Sequence, residues 1–289
     1  MMIQKNKKRF LMGLLGRGML LLPSVLFVLP ILLLLSGSVT DAWEWQERMQ
    51  PLFAGQEAYM EWKWVPDYPT LEHYKRLLFY SPQFLTLFWN SLKITGLILL
   101  GQMLIGLPSA WAFAAFPFRG RNALFTVYVI LMFLPFQVTM LSKYIALKSL
   151  GLLDTTASVI LPAVFSTFPV FLLYRSFSVI PKELLEAGRM DGAGEWGCFF
   201  HIGLPLAKSG ITAAFVIGFL ESFNMIEEPL AFLETKSLWP LSLYLPEIGM
   251  EQAGFACAAS VLTLCVSLFV FAIFRDSLEQ GIISSALKM

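Results

Sequence analysis

Residues 181–206 read PKELLEAGRMDGAGEWGCFFHIGLPL. This is the longest polar interruption in the apolar half of the chain, and apolar segments long enough to cross a bilayer flank it on both sides. Its expected place is a connection at a membrane surface. Pro181 fixes φ and lacks an N–H, which suits the first helical position. Glu183, Leu184, Leu185, Glu186 and Ala187 are good helix formers. Gly188, Gly192 and Gly194 follow, and Asp191-Gly192 signals a turn. A second helical run from Glu195 to Ile202 is expected to end before Pro205. Small residues at Ala187, Gly188, Gly192 and Ala193 let another surface come close to the backbone.

Composition sets the class of the rest. The chain has 289 residues, 57% of them hydrophobic and 14% charged. Its mean hydropathy is +0.67. So much apolar surface exceeds what a water-soluble core can hide, and lipid must cover part of it. A net charge of +1 excludes the basic face that nucleic-acid binding needs. Cys257 and Cys265 are roughly 12 Å apart along one helix, too far to bridge. With Cys198 they read as apolar filler, and His73 and His201 have no metal-site spacing.

Taken outward from the loop, the pattern predicts an all-α membrane protein with six transmembrane helices. Residues 1–18 form a basic cytoplasmic N-terminus by the positive-inside rule, and 19–40 an uncleaved first span. Residues 41–87 form an outer loop whose Trp43, Trp45, Trp62 and Trp64 suit interfacial anchoring. A five-helix core covers 88–275, with spans near 91–115, 123–140, 156–174, 209–223 and 254–274, and a cytoplasmic tail covers 276–289. Ser142 to Thr156 is expected to be an outer connection. Arg119, Arg121, Lys182, Arg189 and Lys208 fall on the inner turns, whereas Lys143, Lys148 and Lys236 fall outside and count against the orientation.

Glu186-Ala187-Gly188, Gly192, Ile202 and Leu204-Pro205 resemble the EAA loop of bacterial ABC-importer permeases. That pattern is Glu-Ala-Ala, three residues, Gly, nine residues, Ile, one residue, Leu-Pro. Every spacing is kept, and Gly188 stands where the second Ala is usual. Asp191-Gly192-Ala193 further resembles the carbohydrate (maltose-type) branch. Thr70–Tyr74, Phe88–Leu92, the Phe116–Arg121 turn, Gly151–Asp154 and the Gly281–Lys288 tail resemble family segments as well. The resemblance implies an ABC type I importer permease fold and a multi-pass protein of the bacterial plasma (inner) membrane, with both termini cytoplasmic. It implies a second homologous permease subunit, two ATPase subunits, and an extracytoplasmic solute-binding protein that delivers a sugar. In that arrangement the loop docks on an ATPase subunit. Leu184, Leu185 and Met190 would fill apolar gaps there, with Glu186 and Arg189 at the polar rim.

The chain holds no G-x-x-x-x-G-K-[ST] phosphate loop, no nucleophile elbow and no His-Glu-x-x-His. No catalysis and no cofactor are therefore expected here, and ATP with Mg belongs to the partner ATPase. Gln102, Gln137, Ser142, Tyr144, Thr167, Ser222 and Asn224 are polar groups within or beside spans, each either a solute contact or an interhelical hydrogen bond. Glu221 is a further candidate. Two alternatives belong to other classes. An ion-coupled secondary transporter needs midplane ionisable groups and often an inverted repeat. A membrane assembly or scaffold protein leaves the spaced loop unexplained.

Overall fold

The computed structural model describes residues 23–53, 63–249 and 252–286. The expected N-terminal segment 1–18, Trp62 and the end of the tail lie outside the described residues. The described chain is helical, and its contacts divide into two bodies, 1–81 with 248–264 and 82–247 with 265–289.

In the first body, the described part of α1, Pro23–Ser38, is an apolar helix. It is followed by α2 (Ala42–Phe53) and α3 (Glu72–Phe79). Expected to be an interfacial anchor, Trp45 is instead buried, and its indole N–H donates to the Gly37 carbonyl at 3.0 Å. Burial of so large a ring together with a satisfied donor favours this over the headgroup layer. Trp43 and Trp64 are exposed. Glu44 is buried as well and accepts from Arg48 and from the Asp67 and Tyr68 amides. One carboxylate thus gathers a segment that would otherwise leave backbone donors unpaired.

The second body is built on α4 (Pro82–Ala115), which begins well before the expected start of its span. Phe84, Leu87, Ser91, Ile94, Ile98, Gln102, Gly106 and Ala110 are buried at helical spacing. Along this stripe α4 packs against α7 (Thr156–Val164), α8 (Thr167–Ser178) and α12 (Lys208–Phe223). Residues 156–178 run as one apolar span through the α7–α8 junction. The third expected span is not continuous. Helices α5 (Arg121–Met132) and α6 (Phe136–Ser149) meet at 101°. Pro135, with no amide hydrogen and an extended ψ of 149°, starts a new helix instead of continuing the old one. Residues 142–149, expected in a connection, are therefore the last turns of α6.

Beyond α12 come the short helices α13 (Glu227–Phe232) and α14 (Leu241–Tyr244), and finally α15 (Ala253–Ala286), which straddles both bodies. Three described spans are long and apolar enough to cross a membrane, five if each bent pair counts as one, with α1 as a shorter apolar helix.

Candidate functional site

The loop between the 156–178 span and α12 folds on itself. Helix α9 (Lys182–Met190) starts one residue later than expected, because Pro181 is its N-cap at ψ 135°. It ends in a Schellman motif: the Gly192 amide donates to the Arg189 carbonyl at 3.1 Å and the Ala193 amide to the Gly188 carbonyl at 3.0 Å. Gly192 holds φ +85°, a region that costs an L-residue about 1–2 kcal/mol. Arg189 then closes the bend, donating from Nε and an NH2 to the two oxygens of Glu195 at 3.0 and 3.2 Å. That hydrogen bond and charge hold the guanidinium pKa above its ordinary value. Expected at an external rim, Arg189 is engaged inside the loop.

The second half runs through α10 (Glu195–Cys198), a π-helical turn at Phe199–Gly203 and α11 (Leu204–Leu206). The expected stop before Pro205 is not found. Pro205 occupies the opening of α11, where a missing N–H is tolerated, and the break to α12 comes at Ala207.

One face of the loop is locked to the helices beneath it. Leu185, Cys198 and Phe199 are buried with Ala110, Trp111, Leu173 and Phe177, and Ala193, Ile202 and Leu204 pack against this cluster. The Trp111 ring lies 5.3 Å from Phe177 and 5.7 Å from Phe199 between centroids. A Cβ on Gly203 would stand 2.6 Å from that indole, so only glycine allows the approach. A Cβ on Gly188 would meet the Ile202 Cδ1 at 2.5 Å. The two motif positions are thus a packed pair, which gives Gly188 a role that helix propensity alone does not. Leu185 belongs to this inner face and is not free to fill a gap elsewhere. The opposite face is open: Leu184, Glu186, Ala187, Met190, Asp191, Trp196, Phe200 and Pro205 are exposed, Met190 at 88%.

A cavity of about 970 Å3 lies within the second body, between α4, α5, α6, α7, α8, α12 and α13. Of the expected solute-path residues, Gln102, Thr167, Glu221 and Ser222 line it. Gln137 does not, but its Nε2 donates at 3.0 Å to Glu227, which does. Ser142, Tyr144 and Asn224 are not among the lining residues, and the Asn224 amide caps α12 through the Leu220 carbonyl at 2.8 Å. The sequence reading did not assign Lys143, Glu227 and Glu228 to this wall. Lys143 pairs with Glu228 at 3.5 Å from α6 to α13. The signal was present as a cation placed on the acidic outer side. A second, smaller apolar groove of about 420 Å3, lined by Pro181, Leu184, Leu206 and Gly210, shares Ile217 with the cavity.

Asp154 fastens the segment after α13. At φ +55°, a conformation Asp tolerates better than most residues, its carboxylate accepts from the Glu234 amide and from the amide and hydroxyl of Thr235 at 2.6–2.9 Å. These bonds, led by the Thr235 hydroxyl, hold its pKa below the ordinary carboxylate value.

Residues 102–284 match the model of the binding-protein-dependent transport system inner membrane components. The chain belongs to this family. This permease is 29% identical over 227 residues to the arabinooligosaccharides transport system permease protein of Halalkalibacterium halodurans, across 77% of this chain and 81% of the relative. It is 31% identical over 210 residues to the lactose transport system permease protein of Rhizobium radiobacter, across 68% and 74%. Its fold matches a solved bacterial ABC transporter involved in the import of the acidic polysaccharide alginate, with a TM-score of 0.77 at 19% identity over 92% of this chain and 96% of that one. The protein is a multi-pass membrane permease of a binding-protein-dependent transport system.

Proposed function

We propose that this permease is one of two paired membrane subunits of an ATP-driven importer of a carbohydrate. Two ATPase subunits dock beneath it, carrying ATP and Mg, and an extracytoplasmic binding protein delivers the solute. The chain itself hydrolyses nothing. The observation that carries the coupling role is the two-faced loop at 181–206, closed by its own backbone bonds, locked inward on Trp111 and open outward at Leu184, Glu186 and Met190. A carbohydrate cargo is supported by relatives whose named solutes are arabinooligosaccharides, lactose and diacetylchitobiose, while others are named for sn-glycerol-3-phosphate.

The physical account is a rigid-body transition. ATP binds the closed ATPase pair preferentially, and this differential affinity drives the change. The docked loops follow, and because each is packed on its own helices, α4, α8 and α12 tilt with it. The cavity then exchanges access between the two membrane sides. In this arrangement the loop and both termini are cytoplasmic and residues 41–87 face outward.

Co-purification tests the reading. Glu186→Lys reverses an exposed charge at the docking face. The variant should reach the membrane at normal levels and lose the ATPase subunits or stimulation by loaded binding protein. Retention of both would sink the coupling role. Single cysteines at Gln56 and Glu195, in a background without the native three, should label from opposite sides of intact cells, and labelling of both from outside would end the orientation.

A further inference from the structure

The cavity wall has a sign. Three carboxylates, Glu221, Glu227 and Glu228, face it together with one ammonium, Lys143, a formal net of two negative charges among the described lining residues. The single cation is already committed: it pairs with Glu228 at 3.5 Å and stands 5.3 Å over the Phe136 ring. Glu227 accepts from Gln137, while Glu221 has no hydrogen-bond or ion-pair partner among the described residues. On the same wall, Gln102 is 6% exposed and donates its amide to the Ala163 carbonyl at 2.9 Å, which leaves its Oε1 buried without a donor. The ionisable groups of the wall are therefore net acidic, while the Ser166, Thr167 and Ser222 hydroxyls that also line it have no hydrogen-bond partner among the described residues. The acceptors open to a solute hydroxyl or ammonium are the Glu221 and Glu227 carboxylates, whereas the Gln102 Oε1 is closed off against Gly218.

We propose that this wall selects, within the carbohydrate class, for solutes that carry hydroxyl or ammonium groups and against those that carry carboxylate or phosphate. The inference rests on the reading of the cavity as the solute site. Specificity of this kind works by repulsion as much as by attraction: an anionic sugar meets like charge and finds no unpaired cation among the described lining residues. A neutral oligosaccharide meets no like charge, and its hydroxyls can donate to the carboxylates and pair with the Ser166, Thr167 and Ser222 hydroxyls. An amino sugar gains further. The alginate importer shares the fold, and this wall is unsuited to an acidic cargo of that kind.

The test reads the wall's sign without a known substrate and uses the assembled importer. Cys198, Cys257 and Cys265 are replaced, and Thr139→Cys or Ser166→Cys places one thiol on the wall. Its rates with cationic trimethylammonioethyl and anionic sulfonatoethyl methanethiosulfonate are each divided by the rate with a free thiol in solution. The cationic reagent should be preferred about tenfold or more, and Glu221→Gln with Glu227→Gln should bring the ratio close to one. A ratio at or below one in the parent, or one that ignores the two substitutions, overturns the proposal. So does silence of both thiols toward both reagents, since the wall would then be closed to solutes. ATPase co-purification is scored on the same preparations. Its loss with the charge ratio intact would fault the permease-coupling reading and leave the wall's selectivity standing.

Discussion

The 181–206 loop and the cavity mouth near α13 are held together by opposite means. Apart from the exposed Arg189–Glu195 pair across its bend, the loop is closed by main-chain bonds and by an apolar cluster: the Schellman pair at Gly192 and Ala193, the Trp111–Phe199 contact, and the fit of Ile202 against Gly188. The mouth is closed by side chains: Lys143 to Glu228, Gln137 to Glu227, and Asp154 to Glu234 and Thr235. Apolar packing resists small displacements, because interiors have two arrangements or none in between. Polar side-chain bonds can be traded for water or solute at little net cost. A part that transmits force needs the first kind of construction, and a part that admits solute is served by the second.

The largest break in that contrast comes at Gly203. Gly203→Leu drives a side chain into the Trp111 ring within a buried cluster, an overpacking of about 1–3 kcal/mol. Thermal unfolding of the solubilised protein should shift down, and the loop should become open to protease. A normal melting curve would mean that the loop is not anchored there. Next is Gly192→Val, which places a β-branched residue at φ +85° for roughly 1–2 kcal/mol. ATPase association should fall with spans still inserted, and Gly192→Asn should restore much of it.

The mouth should answer to pH through Asp154. The Asp154 pKa is held below its unfolded value of 3.8, so its contribution is complete above that value and is lost as pH falls through the lower folded pKa. Protease cleavage within 232–247 should differ between the parent and Asp154→Asn at pH 7, and the difference should shrink below pH 3.8. A difference that persists there would assign the clamp to something other than the carboxylate. The smallest effect belongs to Gly188→Ala. The helix gains about 1 kcal/mol of propensity, but Ile202 must leave its rotamer at about 0.5–1.5 kcal/mol. The net should lie within about 1 kcal/mol of zero, and the same Gly188→Ala change should be stabilising when made in an Ile202→Val background.

How far these regions could be read in the sequence follows from the same contrast. Gly192 was legible because a left-handed turn has few residue solutions, and the spacing of Glu186, Gly192, Ile202 and Leu204-Pro205 is a one-dimensional record of one compact loop. The contact of Trp111 with Gly203 was not, because the two lie far apart in the chain and nothing in either residue type names the other. The same holds at the mouth. Lys143 looked like a misplaced cation until the fold set it 3.5 Å from Glu228. Trp45 failed for a related reason: an aromatic among carboxylates suits an interface equally well, and only the Gly37 carbonyl decides that it is buried. Pro135 stands within the expected third span, yet whether a proline kinks a span or breaks it at 101° depends on the helices around it.

The central claim is that the open face of the loop is an ATPase docking surface, and a photoreactive side chain at Met190 tests it most directly. Met190 is 88% exposed, whereas Leu185, five residues earlier on the same helix, is buried at 7%. In the assembled importer, irradiation should join position 190 to an ATPase subunit, and position 185 should yield only links within this chain. Absence of any ATPase product from 190, in a preparation that still contains the ATPase subunits, would contradict the account.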